Sequence, residues 1–150
     1  MDRFRVVPAA YLYLTRGHEV LLQQRCGTGY LDGYWVAGAA GHIELRETAA
    51  GCAVREASEE LGVMVREADL TPLTVMQRTD GTDDPQEQRV DWFFSASVWS
   101  GEPRVLEPAK CAGIAWHRLD DLPAMVPDYE REVLRSLAAR APLSLSTHGF

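Results

Sequence analysis

Glu56, Glu59 and Glu60 stand three and four residues apart. On a helix this spacing brings all three carboxylates to one face. Like charges so placed repel one another and weaken the helix that carries them. One basic residue, Arg55, lies among them, and Glu47 lies two turns earlier. A solvated acidic face is the plain reading of such a group. Two features favour another: the acids cluster instead of alternating with Lys, and they lie opposite an apolar stripe. A ligand set of carboxylate oxygens suits a hard divalent cation such as Mg²⁺ or Mn²⁺. A cation held there would remove the repulsion and would recruit a phosphorylated substrate.

The elements that must position these groups are legible around them. Ala49, Ala50, Ala53, Val54, Ala57 and Leu61 recur at helical spacing, which predicts a helix over 47–61 with Thr48 as a cap and Gly62 as its stop. Upstream, residues 6–14 and 19–24 read as a hairpin of two strands. A three-glycine loop and a short strand over 34–37 follow, running into the small residues Gly38-Ala39-Ala40-Gly41. Downstream, residues 70–78 read as a strand and 90–98 as a long half-buried one, with Val90, Trp92, Phe94, Ala96 and Val98 inward. A strand over 114–116 follows. Pro127 opens a second helix at its first position, with Tyr129, Val133, Leu134 and Leu137 inward. The tail from Pro142 reads as an extension. Strands and helices alternate without a regular βαβ rhythm, so the expected class is α/β, a mixed sheet between helices.

Composition narrows the function. The chain has 150 residues, 22 acids and 15 bases, for a net charge of -7. That length makes one domain with a core of its own. The acidic balance argues against a nucleic-acid polymer or an anionic membrane surface as partner. Five acids and only two bases fall in residues 41–63, so part of the negative charge belongs to the proposed cation site. Cys26, Cys52 and Cys111 have no metal-ligand spacing and read as reduced structural thiols. With no signal-type or membrane-spanning segment visible, the expected setting is cytoplasmic.

Gly41, Glu47 and the run Arg55-Glu56-Ala57-Ser58-Glu59-Glu60-Leu61-Gly62-Val63 together resemble the Nudix box, a signature with many constrained positions in a short span. The hairpin before it, the long strand after it and the closing helix also resemble that family. The resemblance implies an α/β/α sandwich with the box as a loop–helix–loop. It implies hydrolysis of a nucleoside diphosphate linked to another group, with Mg²⁺ or Mn²⁺ as cofactor. Carried over by position, Glu56, Glu59 and Glu60 are metal ligands, joined by the Ala40 carbonyl. Arg55 orients the carboxylates, and Glu47 supports Arg55. Glu56, or a carboxylate outside the box, is the general base. The chain departs from the usual pattern at Ala40 and at Arg46, where Gly is common. A demand for positive φ there would strain the loop.

The substrate must be read outside the box. The Gly101-Glu102-Pro103 turn followed by Glu107 resembles the MutT type of nucleoside triphosphate diphosphatase, which makes Glu107 an extra metal-site carboxylate. Arg25 matches a phosphate-contacting arginine, and Lys110 reads as a phosphate-side charge. Asp128 is placed to read a base edge, though an acid in a first helical turn also suits the helix dipole. Trp35 and Phe93 are the candidate stacking faces. His42 reads as a polar loop residue. The acidic stretch 79–88 reads as a solvated loop, with a lid as the alternative. The expected activity is Mg²⁺-dependent cleavage of a nucleoside triphosphate, oxidised or modified ones included, to a monophosphate and diphosphate, in a monomer or homodimer. The alternatives are an ADP-ribose or nucleotide-sugar diphosphatase, and a non-catalytic module of the same fold. An isomerase of isoprenoid diphosphates is disfavoured, because no matching cysteine arrangement is visible.

Overall fold

The computed structural model describes residues 1–141 and 143–150, so Pro142 lies outside the described residues. The expected hairpin forms from β1 (Val7–Arg16) and β2 (Glu19–Arg25). The two strands pair only near the turn, at Thr15–Val20 and Arg16–Glu19. Beyond it they part and feed two different sets of strands. β1 pairs antiparallel with β4 (Ala39–His42) and parallel with β6 (Arg89–Ala96). β6 pairs with β5 (Thr71–Arg78), which pairs in turn with β8 (Leu145–His148). β2 pairs on one side with β3 (Trp35–Ala37) and on the other with β7 (Cys111–Arg118). The result is a mixed sheet that splays into two arms, with a cleft where they part.

β1 explains the layering. Its side chains alternate between faces, and both faces are covered. Ala9, Tyr11 and Tyr13 join a core with Phe93, Val133 and Leu134 beneath α2 (Asp128–Ala138). Ala10, Leu12 and Leu14 join a second core beneath α1 (Ala49–Leu61). Each fully buried Leu or Phe of this kind stabilises the fold by roughly 1.5–3 kcal/mol. The α/β/α sandwich expected from the sequence is therefore present.

α1 starts at Ala49 rather than Glu47. Thr48 caps it, its Oγ1 accepting from the Gly51 N–H at 2.9 Å. Gly62 ends it in the left-handed region (φ 68°), which only glycine adopts freely. The buried face of α1 is made of Cys52, Ala53, Ala57 and Leu61. These are mostly small, and β4 opposite is Ala39-Ala40-Gly41-His42. Small residues on both sides let the helix lie close to the strand, and that approach sets the geometry of the acidic site.

Several boundaries differ from the sequence reading. β6 ends at Ala96, and Val98 is exposed rather than inward. β6 is also buried on both faces: Asp91 and Phe93 are as deeply placed as Phe94. Periodicity alone misreads such a strand as half-buried, because a charged residue counts as a solvent marker. Pro127 caps α2 from outside instead of opening it. The tail that reads as an extension contains β8, a short edge strand, which needs little apolar patterning. The 79–88 stretch is a structured polar loop, with Asp80 and Asp84 accepting backbone N–H groups. It joins Arg78 to Arg89 and lines neither cavity of the cleft.

Candidate active site

α1 and β4 assemble the acidic group. Arg55 is its hub. Its Nε and Nη2 donate to Glu47 at 2.7 and 3.0 Å, and its Nη1 donates to Glu56 Oε1 at 2.8 Å and Glu59 Oε2 at 3.2 Å. Nη2 also donates to the His42 carbonyl at 3.2 Å, which ties the hub to the end of β4. The bidentate fork of a guanidinium suits this clamp as a lysine would not. Bonding to Arg55 holds the Glu47 carboxyl down at about 2. Glu47 therefore stays ionised as the anchor of the clamp.

Glu60 is held differently. Its Oε2 accepts the Ala40 N–H at 2.7 Å, and its Oε1 accepts from Gln23 Nε2 at 3.3 Å. Burial pushes its carboxyl up to about 8, and the charges of Glu56 and Glu107 push the same way. Burial raises the Glu56 carboxyl too, against the pull of Arg55. Gly41 is required by proximity: a Cβ there would overlap the Glu56 carboxylate. Arg46 carries the strain expected of it, at φ 65° in the left-handed region, a conformation costing a non-glycine residue roughly 1–2 kcal/mol.

These residues open on one cleft of about 720 Å³, lined also by Glu107, Lys110, Arg25, Thr28 and His42. The sequence-predicted Glu56, Glu59, Glu60, Arg55, Ala40, Glu107, Arg25 and Lys110 are therefore all brought together. Among the described residues no three acidic, His or Cys side chains already converge at ligand distance. The carboxylates are occupied by Arg55, the Ala40 N–H and Gln23 instead. The donor set nevertheless fits a hard divalent cation: it is all oxygen, and crowded half-buried carboxylates are what such a charge would relieve. Glu56, Glu59, Glu60, Glu107 and the Ala40 carbonyl are the groups on hand to hold it.

A second cavity of about 170 Å³ continues inward from the same cleft, sharing Gln23, Arg25, Ala40, His42 and Glu60 with it. Its inner wall is charged. Arg78 Nε donates to Asp91 Oδ2 at 2.8 Å, its Nη2 donates to the Tyr11 hydroxyl at 3.3 Å, and its guanidinium stacks on Tyr129 at 3.8 Å. Glu130 is fully buried: its Oε1 accepts from the Tyr13 hydroxyl at 2.8 Å and the Ala37 N–H at 2.7 Å. Burial pushes its carboxyl up to about 7. Arg89 completes the wall.

Three sequence expectations fail here. Phe93 offers no face, since its ring is buried and stacked on Tyr11 at 4.5 Å. Trp35 packs edge-on against His117 and lines neither cavity. Asp128 is exposed at the start of α2, while its neighbours Tyr129 and Glu130 turn inward to the cavity. Helical phase separates them: two positions on, the side chain points to another face. Sequence reasoning missed Arg78, Arg89, Asp91 and Glu130. Only Asp91 offered a signal, a charge set within the run Val90-Asp91-Trp92-Phe93-Phe94, where it is rarely buried without a partner.

The comparisons with known proteins accord with this architecture. Among solved structures, the chain is similar to a MutT NUDIX hydrolase from Burkholderia pseudomallei, with 28% identity and a TM-score of 0.78 over 87% of this chain and 97% of that one. It is also similar in fold to a UDP-X diphosphatase, at 15% identity and a TM-score of 0.70, covering 97% and 69% of the two chains. Among curated proteins it is 31% identical over 116 residues to an isopentenyl-diphosphate Delta-isomerase from Rhodobacter capsulatus, covering 76% of this chain. The chain spans 65% of the length of that relative. The family pattern described as the NUDIX domain matches residues 4–137. The chain therefore belongs to the NUDIX domain family.

Proposed function

We propose that this protein hydrolyses the diphosphate linkage of a nucleoside triphosphate, releasing a monophosphate and diphosphate with Mg²⁺ or Mn²⁺. The observation that carries the reading is the division of one cleft into two parts. Five carboxylates and three cations, Arg25, Arg55 and Lys110, line a wide outer part, and a small polar cavity lies behind it. A divalent cation bound by the carboxylates would neutralise phosphate charge and lower the pKa of water. Arg55 grips one oxygen of Glu56 and leaves the other to accept a proton from the attacking water. Arg25 and Lys110 hold phosphate oxygens from the opposite wall. Arg25 is itself braced, its Nε donating to the Tyr30 carbonyl at 2.8 Å and its Nη2 to Thr28 at 3.0 Å. Bracing of this kind reduces the entropy lost on binding.

The isomerase relative suggests a different reaction on another diphosphate. No cysteine lines either part of the cleft among the described residues, and an isoprenoid tail would desolvate the charged inner wall without pairing it. Both features favour hydrolysis of a polar substrate. A panel of nucleoside triphosphates, ADP-ribose, a UDP-sugar and isopentenyl diphosphate, assayed with Mg²⁺ for phosphate products, tests this. Diphosphate release from triphosphates is expected. Cleavage of ADP-ribose with triphosphates untouched, or isomerisation of isopentenyl diphosphate, overturns the reading.

A further inference from the structure

Gln23, Arg25, Ala40, His42 and Glu60 form the throat where the outer and inner parts of the cleft meet. Most of their polar groups are already committed. Arg25 is braced by Tyr30 and Thr28. The Glu60 carboxylate takes the Ala40 N–H and the Gln23 amide. His42 is exposed. Gln23 is only 8% exposed, and the two ends of its amide differ. Nε2 donates to the Ala37 and Gly38 carbonyls, each at 3.1 Å, and to Glu60 Oε1 at 3.3 Å. Oε1 accepts from nothing among the described residues, and it is not sealed in, since it opens on the cleft.

Chemistry fixes the orientation of that amide. The three atoms around Nε2 are all acceptors. A flipped amide would set an oxygen against three oxygens and leave them without its donor. The lone pairs of Oε1 are therefore free for a ligand, on a side chain that cannot turn away. What approaches must donate. Phosphate oxygens are acceptors and negatively charged, so Oε1 repels them. Gln23 lies one hydrogen bond from Glu60, which in the proposed reaction holds the cation on the phosphates. The first group beyond the phosphate chain is the one that reaches Gln23. In a nucleotide that group is the sugar, whose hydroxyls are neutral donors.

We propose that Gln23 is a specificity-determining residue, its Oε1 accepting a hydrogen bond from a hydroxyl of the substrate's ribose. This assignment rests on the nucleotide reading above and deepens it, from the phosphates to the sugar. A site that hydrogen-bonds a hydroxyl discriminates against the analogue lacking it, because the acceptor on the protein is then left unpaired in a confined place. A ribonucleotide is therefore preferred to the deoxy form that lacks the bonded hydroxyl.

Calorimetry in EDTA, where neither hydrolysis nor a cation held by the amide oxygen intervenes, tests this with AMP, GMP and UMP, each in its ribose, 2′-deoxy and 3′-deoxy form. For the base that binds best, wild type is expected to bind the ribose form at least about fivefold tighter than one of the two deoxy forms. Gln23→Lys keeps a donor for Ala37, Gly38 and Glu60 but has no acceptor, and Gln23→Met has neither. In both variants the ribose and deoxy forms are expected to bind within about twofold of each other. A residue that only braces Glu60 would weaken all forms alike and leave their ratio unchanged. Circular dichroism confirms that each variant folds, and either variant alone decides the matter. Equal binding of the three sugars by wild type, binding of none, or a ratio that survives in a folded variant overturns the assignment. An intact sugar preference without Mg²⁺-dependent release of diphosphate from triphosphates overturns the proposed activity instead.

Discussion

The outer and inner parts of the cleft are built on opposite plans. In the outer part, five functional side chains come from one helix and the loop before it, and several are solvent-facing: Glu59 keeps 54% of its side-chain surface exposed. In the inner part, Arg78, Arg89, Asp91, Tyr13 and Glu130 come from four separated elements, and Asp91 and Glu130 are completely buried. The outer part can trade partners, because water and a cation compete for its carboxylates. The inner part cannot, because each charge there depends on one or two fixed neighbours. Groups that must exchange partners fit the first kind of site, and groups that hold the cleft in shape fit the second.

The contrast predicts where substitutions hurt stability and where they hurt activity. Arg78→Met leaves Asp91 as a buried charge with only the long contact to Arg89. The expected loss is about 3–5 kcal/mol of folding stability, read by urea denaturation. A loss under about 1 kcal/mol, as for an exposed pair such as Arg66–Asp69, would dissolve the distinction. Gly41→Ala acts on the outer part. Its Cβ displaces the Glu56 carboxylate, and a misplacement of about 1 Å costs on the order of 100-fold in rate, with the melting temperature nearly unchanged.

A smaller effect sharpens the inner part. Burial, partly opposed by the Tyr13 hydroxyl, the Ala37 N–H and Arg78, and reinforced by Asp91, raises Glu130 from 4.5 to about 7. An acid whose folded pKa is raised favours the folded state while protonated. Its contribution is fully present below about pH 4.5 and is lost as the pH rises through about 7. Glu130→Gln is therefore expected to flatten the stability–pH curve across that window, by on the order of 2 kcal/mol. An unchanged curve would mean that Glu130 titrates normally. The smallest effect is at Arg46, where Arg46→Gly relieves the left-handed backbone and is expected to stabilise the protein by about 1 kcal/mol.

The same contrast explains what could be read from the sequence. The α1 group was legible because its members lie within 14 residues (Glu47–Glu60), at spacings that helix geometry converts directly into proximity. Lys110 and Glu107 were reachable by the turn that precedes them. The inner wall was not legible. Arg78 and Arg89 flank a polar loop and look like its solvated ends, and Asp91 alternates with apolar residues as an exposed position would. Only the pairing of β5 with β6, and of β1 with both β4 and β6, turns these positions inward. Asp128 stands out and Glu130 does not for a related reason: the first helical turn is visible in sequence, but the side of the helix that meets the sheet is set by tertiary packing. β8 shows the limit in its plainest form, since its four residues become a strand through β5 alone.

In the proposed reaction the carboxylates of α1 hold the cation that drives hydrolysis. Phosphorus NMR of a nucleoside triphosphate incubated with Mg²⁺ tests it most directly, comparing wild type with Glu60→Gln and Glu59→Gln. Wild type is expected to give monophosphate and diphosphate as products, and both variants rates at least 100-fold lower. Release of single phosphates by wild type, or wild-type rates in either variant, would contradict it.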